Sequence, residues 1–397
     1  MNLRPLVVSD VCFPRVNGVS TSIRSFREDL AALGVASSLV APVYGPQDAS
    51  ESGLQRVPSR PVPRDPEDRL MNWRALRAAL RDSRHAECTL VHIQTPFLAH
   101  YAGLRHARER GLPVVATCHT YFEDYLQHYV PLLPHRASAW LARRAMTHQL
   151  NAVDCVISPS EQVRSRLLEY GVTRPVEVIP TGMTADRFHP GDAARFRARL
   201  AVPAERRMLL ILGRVAFEKN IAFLLRMFAI VRDRDPATLL VIAGEGPAQP
   251  ALQREAARLG VADAVRFIGN LDRERDLNDC YAAADAFVFA SRTETQGLVL
   301  LEAMAQGRPV VSTACLGTRS VLAGESGAFV VDENEQQFAA AVLAVLRDPA
   351  GAAERAAKGL AWARRWSSRA MAQRLAQLYT EVQTNVGAAA PLAARFR

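Results

Sequence analysis

Short runs of aliphatic and β-branched residues alternate along this chain with longer stretches whose apolar positions recur every three or four residues. That alternation predicts parallel strands joined by crossover helices. In the first half the strand-like runs are LVVSD (6–10), SSLVA (37–41), TLVHI (89–93), PVVATCH (113–119), CVISPS (155–160) and VEVIP (176–180). The pattern restarts with MLLILG (208–213) and continues through TLLVIAG (238–244), VRFIG (265–269), AFVFAS (286–291), RPVVST (308–313) and GAFVV (327–331). Two series predict an α/β protein with two doubly wound, Rossmann-like parallel sheets, one within residues 1–181 and one within 188–365. PTGMTADRFHPG (180–191), with its prolines and glycines, is the expected linker, and a ligand cleft is expected beside it. Toward the end, Trp362, Trp366, Leu375, Leu378 and Tyr379 fall at helix-compatible intervals within 353–382. This stretch is expected to be helical and to pack back across both domains, with 366–385 on the first, while the closing GAAAPLAARFR reads as a frayed end.

At 397 residues and 49% hydrophobic, the chain is long enough for two ordinary domains with separate cores. The net charge of +9 favours anionic partners, among them nucleotide phosphates and acidic lipid surfaces. Nucleic acid is set aside, because aromatics are only 7% and no recognition motif, zinc-ligand spacing or basic tail is present. Cys12, Cys88, Cys118, Cys155, Cys280 and Cys315 sit singly in apolar runs, without paired spacing. They point to a reducing, cytoplasmic setting and to neither disulfides nor metal ligation. No apolar run approaches bilayer length, so any membrane contact is expected to be peripheral.

The richest chemistry lies in FASRTETQGLVLLEAMAQGRPVV (289–311), where a strand gives way to a polar loop and Gly297 opens a helix. Unsatisfied N–H groups and the positive end of the helix dipole make Thr295, Gln296, Gly297 and Leu298 a seat for a diphosphate or a sugar hydroxyl. Glu294 precedes the seat. Glu302, eight residues on, is placed to accept both hydroxyls of a vicinal diol such as ribose. The companion loop GRVAFEKN (213–220) carries Arg214 and Lys219, and the latter is one of only two lysines in the chain. Both suit a pyrophosphate. The one Asp-x-Asp match, Asp233 with Asp235, falls at a helix end before Pro236 and reads as solvated surface, so side-chain cations are expected to replace a metal. After a strand, Gly244, Glu245 and Gly246 lack the third glycine of a dinucleotide fingerprint, which disfavours a dehydrogenase.

In the first half, the loop FPRVNGVSTSIRSF (13–26) holds Gly18 ahead of serines and threonines able to cap a helix, and Gly18 permits close approach of a phosphate. His119 ends a strand run and so falls at the carboxyl edge, where it can donate to a sugar hydroxyl or assist acid–base chemistry. TYFEDYLQHYVPLLPHR (120–136), the following helix with Trp140, Arg143 and Arg144, and RLMNWRALRAALRDSR (69–84) present aromatic and basic faces. Such faces suit an anionic membrane, and they equally suit ordinary packing on a sheet.

Together these segments resemble glycosyltransferase family 4, retaining enzymes of the two-Rossmann GT-B architecture. The likeness spans essentially the whole chain and is most specific in TETQGLVLLEAMAQGRPVV, GRVAFEKN and IAGEGP, looser in RVNGVSTS and TCHTYFEDY. It implies that Glu294 contacts the donor sugar, Glu302 the ribose, Arg214 and Lys219 the diphosphate, Gly18 the phosphate and His119 the transferred sugar. Many members have Phe where this chain has Gln296, a departure that bears on donor preference. ETQG together with HTYFEDYLQHY looks like the branch that glycosylates lipids. The expectation is therefore metal-independent, retaining transfer of glucose or mannose from a UDP or GDP donor to a lipid or lipid-linked glycan, with no cofactor. The rival expectations are a soluble acceptor and a sugar-nucleotide-binding protein without turnover.

Overall fold

The computed structural model describes residues 3–45, 52–62, 65–119, 135–272 and 275–388. The chain folds as two compact units, Met1–Gly182 with Ser368–Arg397, and Met183–Ser367.

The first unit is built on β1 (Pro5–Val8), β2 (Ser38–Pro42), β3 (Leu54–Val57), β4 (Ser59–Val62), β5 (Asp65–Met71), β6 (Leu90–Ile93), β7 (Val114–Thr117), β8 (Cys155–Ser158) and β9 (Val176–Val178). Seven of these form a parallel sheet in the order β3-β2-β1-β6-β7-β8-β9, and β4 and β5 make a separate antiparallel hairpin. A parallel sheet is covered on both faces, which is why Leu6, Val8, Val40, Val91 and Val156 are all essentially inaccessible. The final helix, Ser368–Ala388, belongs to this unit. It lays Leu375, Leu378, Tyr379 and Val382 against Leu30, Leu90, Val115 and Ile157, beside the helix Gly18–Ala32.

The second unit carries β10 (Arg207–Leu212), β11 (Thr238–Ala243), β12 (Val265–Phe267), β13 (Ala286–Phe289), β14 (Val310–Ser312) and β15 (Phe329–Val330), all parallel, in the order β12-β11-β10-β13-β14-β15. In each sheet the winding reverses beside the first strand. The carboxyl ends of β1 and β6, and of β10 and β13, are therefore topological switch points, where loops diverge and leave a crevice for ligands.

All twelve strand runs expected from the pattern are strands. Four segments depart from it. β3 and the β4–β5 hairpin were not foreseen, because LQRV and DPEDRLM mix charge with few aliphatics. Residues 69–84 are not one helix: β5 runs to Met71, and the Asn72 side chain then accepts from Ala75 N to start the helix Trp73–Leu80. Residues 353–382 are two helices, Pro349–Arg364 and Ser368–Ala388, interrupted where Trp366 O accepts from Met183 N at 2.6 Å. The first belongs to the second unit and the second to the first. Residues 389–397 of the closing segment, and 120–134 of the aromatic run, lie outside the described residues.

Candidate functional site

The switch point of the second unit is formed by the loops after β10 and β13. The first is anchored by backbone bonds that need glycine: a β-carbon at Gly244 would lie 2.0 Å from Gly213 O. This close approach lets Val215 N donate to Glu245 O at 2.9 Å. Arg214 follows directly, and Lys219 closes a 3-10 turn, Phe217–Lys219, before the helix Ile221–Arg234. The second loop is fixed by Gly317, where a β-carbon would fall 1.8 Å from Thr295 O. Gly317 N donates to Glu294 O at 2.9 Å, which sets the height of that residue. Arg292 adds a bidentate pair with Glu333, its Nε donating to Oε2 at 2.8 Å and its Nη2 to Oε1. The Arg292 guanidinium holds the Glu333 carboxyl below the usual range.

Across this switch point Lys219 Nζ donates to Glu294 Oε2 at 2.6 Å, with both side chains about a quarter exposed. A pair this accessible is weakly stabilising and readily re-formed around another charge. Asn220 ties the same loops, its Nδ2 donating to Ala290 O at 3.3 Å. Beyond them Gly297, in the left-handed region, precedes the helix Leu298–Ala305, which has no side-chain cap. Leu300 N donates back to Gly297 O at 3.0 Å, so an anion would be met by the N–H groups of Leu298 and Val299 at the very start of the helix. Gln296 is buried beneath the seat and Thr295 and Leu298 are partly exposed. Glu302, 4% exposed, accepts from Tyr281 Oη at 2.8 Å through Oε2. It is a buried, oriented carboxylate rather than a solvated one.

The first unit's counterpart is built mainly on neutral side chains, with one carboxyl, Asp10, among them. Gln94 follows β6, and its Oε1 lies 2.6 Å from His119 Nε2, past the end of β7. Gln94 Nε2 is 3.2 Å from both ring nitrogens of His92. His92 Nδ1 is 2.6 Å from Tyr379 Oη on the final helix, and its Nε2 is 2.7 Å from Thr117 Oγ1. Burial drives the His119 pKa down to about 4 and that of His92 to about 3, so both rings are neutral at ordinary pH. Nearby, Asp10 accepts from Thr95 Oγ1 at 2.7 Å and from Ala99 N at 3.1 Å, and burial pushes its carboxyl up to about 6.

Sequence models place these observations in a family. Residues 16–187 match Glycosyltransferase Family 4, and residues 192–361 match Glycosyl transferases group 1. The alpha-monoglucosyldiacylglycerol synthase of Streptococcus pneumoniae is 35% identical over 77% of this chain and 69% of its own. This chain belongs to glycosyltransferase family 4. The GDP-mannose-dependent alpha-mannosyltransferase of Mycobacterium tuberculosis is 29% identical over 91% of this chain and 93% of its own. Among solved structures, the sucrose-phosphate synthase of Thermosynechococcus elongatus superposes with a TM-score of 0.78 at 22% identity, covering 96% of this chain and all of that one. That likeness shows the GT-B class of fold. The family-4 chain is a glycosyltransferase that uses nucleotide sugars.

Of the residues singled out from this transferase's sequence, Arg214, Lys219, Glu294, Thr295, Gln296, Gly297, Leu298 and Glu302 all lie on the loops and first helical turns of one switch point. His119 and Gly18 lie in the other unit. Gly18 corrects one expectation: it is the first residue of its helix rather than the residue ahead of the cap, which is Asn17. Asn17 accepts from Ser20 N while Ser20 Oγ accepts from Asn17 N, a capping box. A β-carbon at Gly18 would meet nothing within 4 Å, so neither backbone nor neighbours require glycine there. Asp233 and Asp235 fall at the opposite, amino edge of the sheet, before β11. Asp235 is engaged there by Ala237 N at 3.3 Å and Arg207 Nε at 3.7 Å. Among the described residues no group of three or more His, Cys, Asp or Glu is arranged to hold a metal. All six cysteines are free thiols, and no described helix is long and apolar enough to cross a membrane.

Sequence reading missed Gln94, His92, Tyr379, Tyr281, Asn220 and Glu333. Only Gln94 carried a signal, since it follows the strand run TLVHI just as His119 ends PVVATCH.

Proposed function

We propose that this enzyme moves glucose or mannose, with retained anomeric configuration and without a metal, from a UDP or GDP sugar to a hydroxyl of a lipid or lipid-linked glycan. The bond from the anomeric carbon to the diphosphate breaks and one to the acceptor oxygen forms on the same face. The acceptor proton leaves with the diphosphate. Negative charge grows on the leaving oxygen, and preorganised cations there contribute the most to lowering the barrier. Arg214, Lys219 and the uncapped helix start at Leu298 serve that charge, Glu294 holds the donor sugar, Glu302 the ribose, Gly18 a phosphate and His119 a sugar hydroxyl. The observation that carries this reading is the 2.6 Å pair of Lys219 with Glu294 beside that helix start. The diphosphate takes over the ammonium and the sugar takes over the carboxylate. The lone Asp-x-Asp stands at the wrong edge of the sheet for a metal to share the task.

The lipid acceptor is supported by the name of the pneumococcal relative and by a surface of the first unit. There Phe97, Tyr101, Trp140 and Leu141 are each at least half exposed, and Gln149 joins the helices Leu98–Arg110 and His135–Asn151 by donating to Pro96 O and Tyr101 Oη. Arg144 stands over the Trp140 ring and Arg143 over Tyr170. Aromatics beside arginines suit the cytoplasmic face of an anionic membrane. The test is transfer from labelled UDP-glucose and GDP-mannose to diacylglycerol and glycolipid in anionic vesicles with EDTA present. An α-linked glycolipid is expected. A β-linked product, loss of activity in EDTA, or transfer only to a soluble acceptor such as a sugar phosphate refutes the corresponding part. Trp140→Ala is expected to weaken sedimentation with anionic vesicles several-fold.

A further inference from the structure

The Lys219–Glu294 pair joins two loops of the second unit, and an ammonium on a flexible four-carbon stem does not by itself fix how far apart those loops stand. A partly exposed ion pair is also weak, so the separation has to be set by the residues that adjoin the pair. We propose that Glu333, reaching in from beyond β15, is a positioning residue of the donor site: by holding Arg292 and Asn220 on one carboxylate, it fixes the distance between Lys219 and Glu294. The kinetic half of this inference rests on the role given above to Lys219 and Glu294; the brace does not.

The helices Ile221–Arg234 and Glu335–Arg347 pack together in the second unit's core, with Phe223 edge-on to Phe338 at 5.7 Å between ring centroids. Asn220 heads the first helix and Asn334 the second, which brings Glu333 beside Asn220 although the two are far apart in sequence. Asn220 takes a left-handed backbone, φ 57°, which asparagine adopts more readily than most residues. Its side chain hydrogen-bonds the Glu333 carboxylate and also donates to Ala290 O at 3.3 Å. Lys219 is the residue before it, so the turn that aims the ammonium ends on this amide. Arg292 stands two residues before Glu294 in the loop after β13 and grips the same carboxylate through both Nε and Nη2, a directional fork. One carboxylate thus takes a near neighbour of each member of the Lys219–Glu294 pair, from a third loop that holds neither. A second pair on the same two helices supplies the contrast. Arg226 Nε donates to Glu335 Oε1 at 2.9 Å with comparable exposure, but neither residue adjoins Lys219 or Glu294 in the chain.

The chain has only two lysines, so lysine labelled with 13C at Cε gives two NMR signals from the full chain, and Lys219→Ala assigns them. Glu333→Ala is expected to shift the Lys219 signal, and Glu335→Ala to leave it in place. With UDP-glucose or GDP-mannose as donor, Glu333→Ala is expected to lower kcat roughly tenfold while donor KM stays within about twofold, and Glu335→Ala to keep native kinetics. Both variants should unfold at nearly the same denaturant concentration as the native chain, since ion pairs this exposed stabilise little. Asn220→Gly, which keeps the left-handed backbone and removes the amide, and Arg292→Gln, which removes the fork, should each reproduce part of the shift. An unmoved Lys219 signal in Glu333→Ala, or an equal shift in Glu335→Ala, overturns the brace. A shifted signal with native kcat, where Lys219→Ala is strongly impaired, overturns the kinetic half. Native turnover in Lys219→Ala, or transfer from neither donor, sinks the reading of the donor site and leaves the brace to stand or fall on the Lys219 signal.

Discussion

The two units repeat one topological address and furnish it in opposite ways. At the β10/β13 switch point the side chains are charged and accessible, with Lys219 paired to Glu294 and Arg292 to Glu333. At the β1/β6 switch point they are more buried and, Asp10 apart, neutral, and His92, Gln94, Thr117, His119 and Tyr379 pass hydrogen bonds along a chain. Charge must remain where a leaving group departs as an anion, and solvent-tolerant pairs can exchange partners there. On the proposed reading, direction without charge suffices where a hydroxyl is to be oriented. The same fold thus furnishes one switch point mainly with ion pairs and the other mainly with neutral hydrogen-bonding groups.

Three substitutions and one pH titration break or sharpen this contrast. Lys219→Ala removes the compact cation from the charged edge and is expected to lower kcat about 10²- to 10³-fold while the fold persists. The exposed Lys358, paired with Glu354 four residues away, serves as the control, and its alanine variant should turn over normally. Near-normal turnover in Lys219→Ala would contradict the assignment. Gly317→Ala forces a β-carbon into Thr295 O and shifts the loop that holds Glu294. Displacement of about an ångström at a reacting centre predicts a loss of up to roughly 10²-fold in kcat, and a variant with native kinetics would show that the loop height is unimportant. Glu302→Gln keeps an acceptor for Tyr281 but removes the charge. A roughly tenfold rise in donor KM is expected, together with lost discrimination against a 2′-deoxyribose donor.

The smallest effect is on stability. In the folded first unit His92 and His119 are depressed from the ordinary 6.5 to about 3 and about 4 by burial. His85, His100 and His106 are also lowered by burial. A depressed histidine contributes stability that is full above pH 6.5 and is lost as the pH falls toward 4. Asp10, raised to about 6, has the opposite sign, and its contribution fades as the pH rises through 6. Unfolding free energies from denaturant titrations should therefore decline between pH 7 and 5, by roughly 1 kcal/mol per pH unit for each of His92 and His119. His119→Gln should flatten that decline and Asp10→Asn should steepen it. A slope indifferent to both variants would show that these groups titrate normally.

Much of the fold was legible because aliphatic runs such as MLLILG and TLLVIAG are buried on both faces and need no partner to be recognised. The hairpin was not. DPEDRLM has too few apolar residues to read as a strand, and it is held by pairing with SRPV and by the burial of Met71. Leu70, Trp73, Leu76 and Leu80 fit a helical period although Leu70 lies on a strand, since periodicity alone does not see that Asn72 ends one element and caps the next. In the site, residue chemistry was readable but partnership was not. Lys219 and Glu294 are 75 residues apart, and His92 and Tyr379 are 287 apart.

By itself the sequence determined two α/β series, a run of chemically apt side chains just past particular strands, and membership of a transferase family. Which of those side chains touch was decided by tertiary structure alone. Strand identity follows from short-range propensity and patterning. The neighbour of a carboxyl-edge loop is chosen by strand order, and that order depends on how whole helices cross over and bury their faces on the sheet.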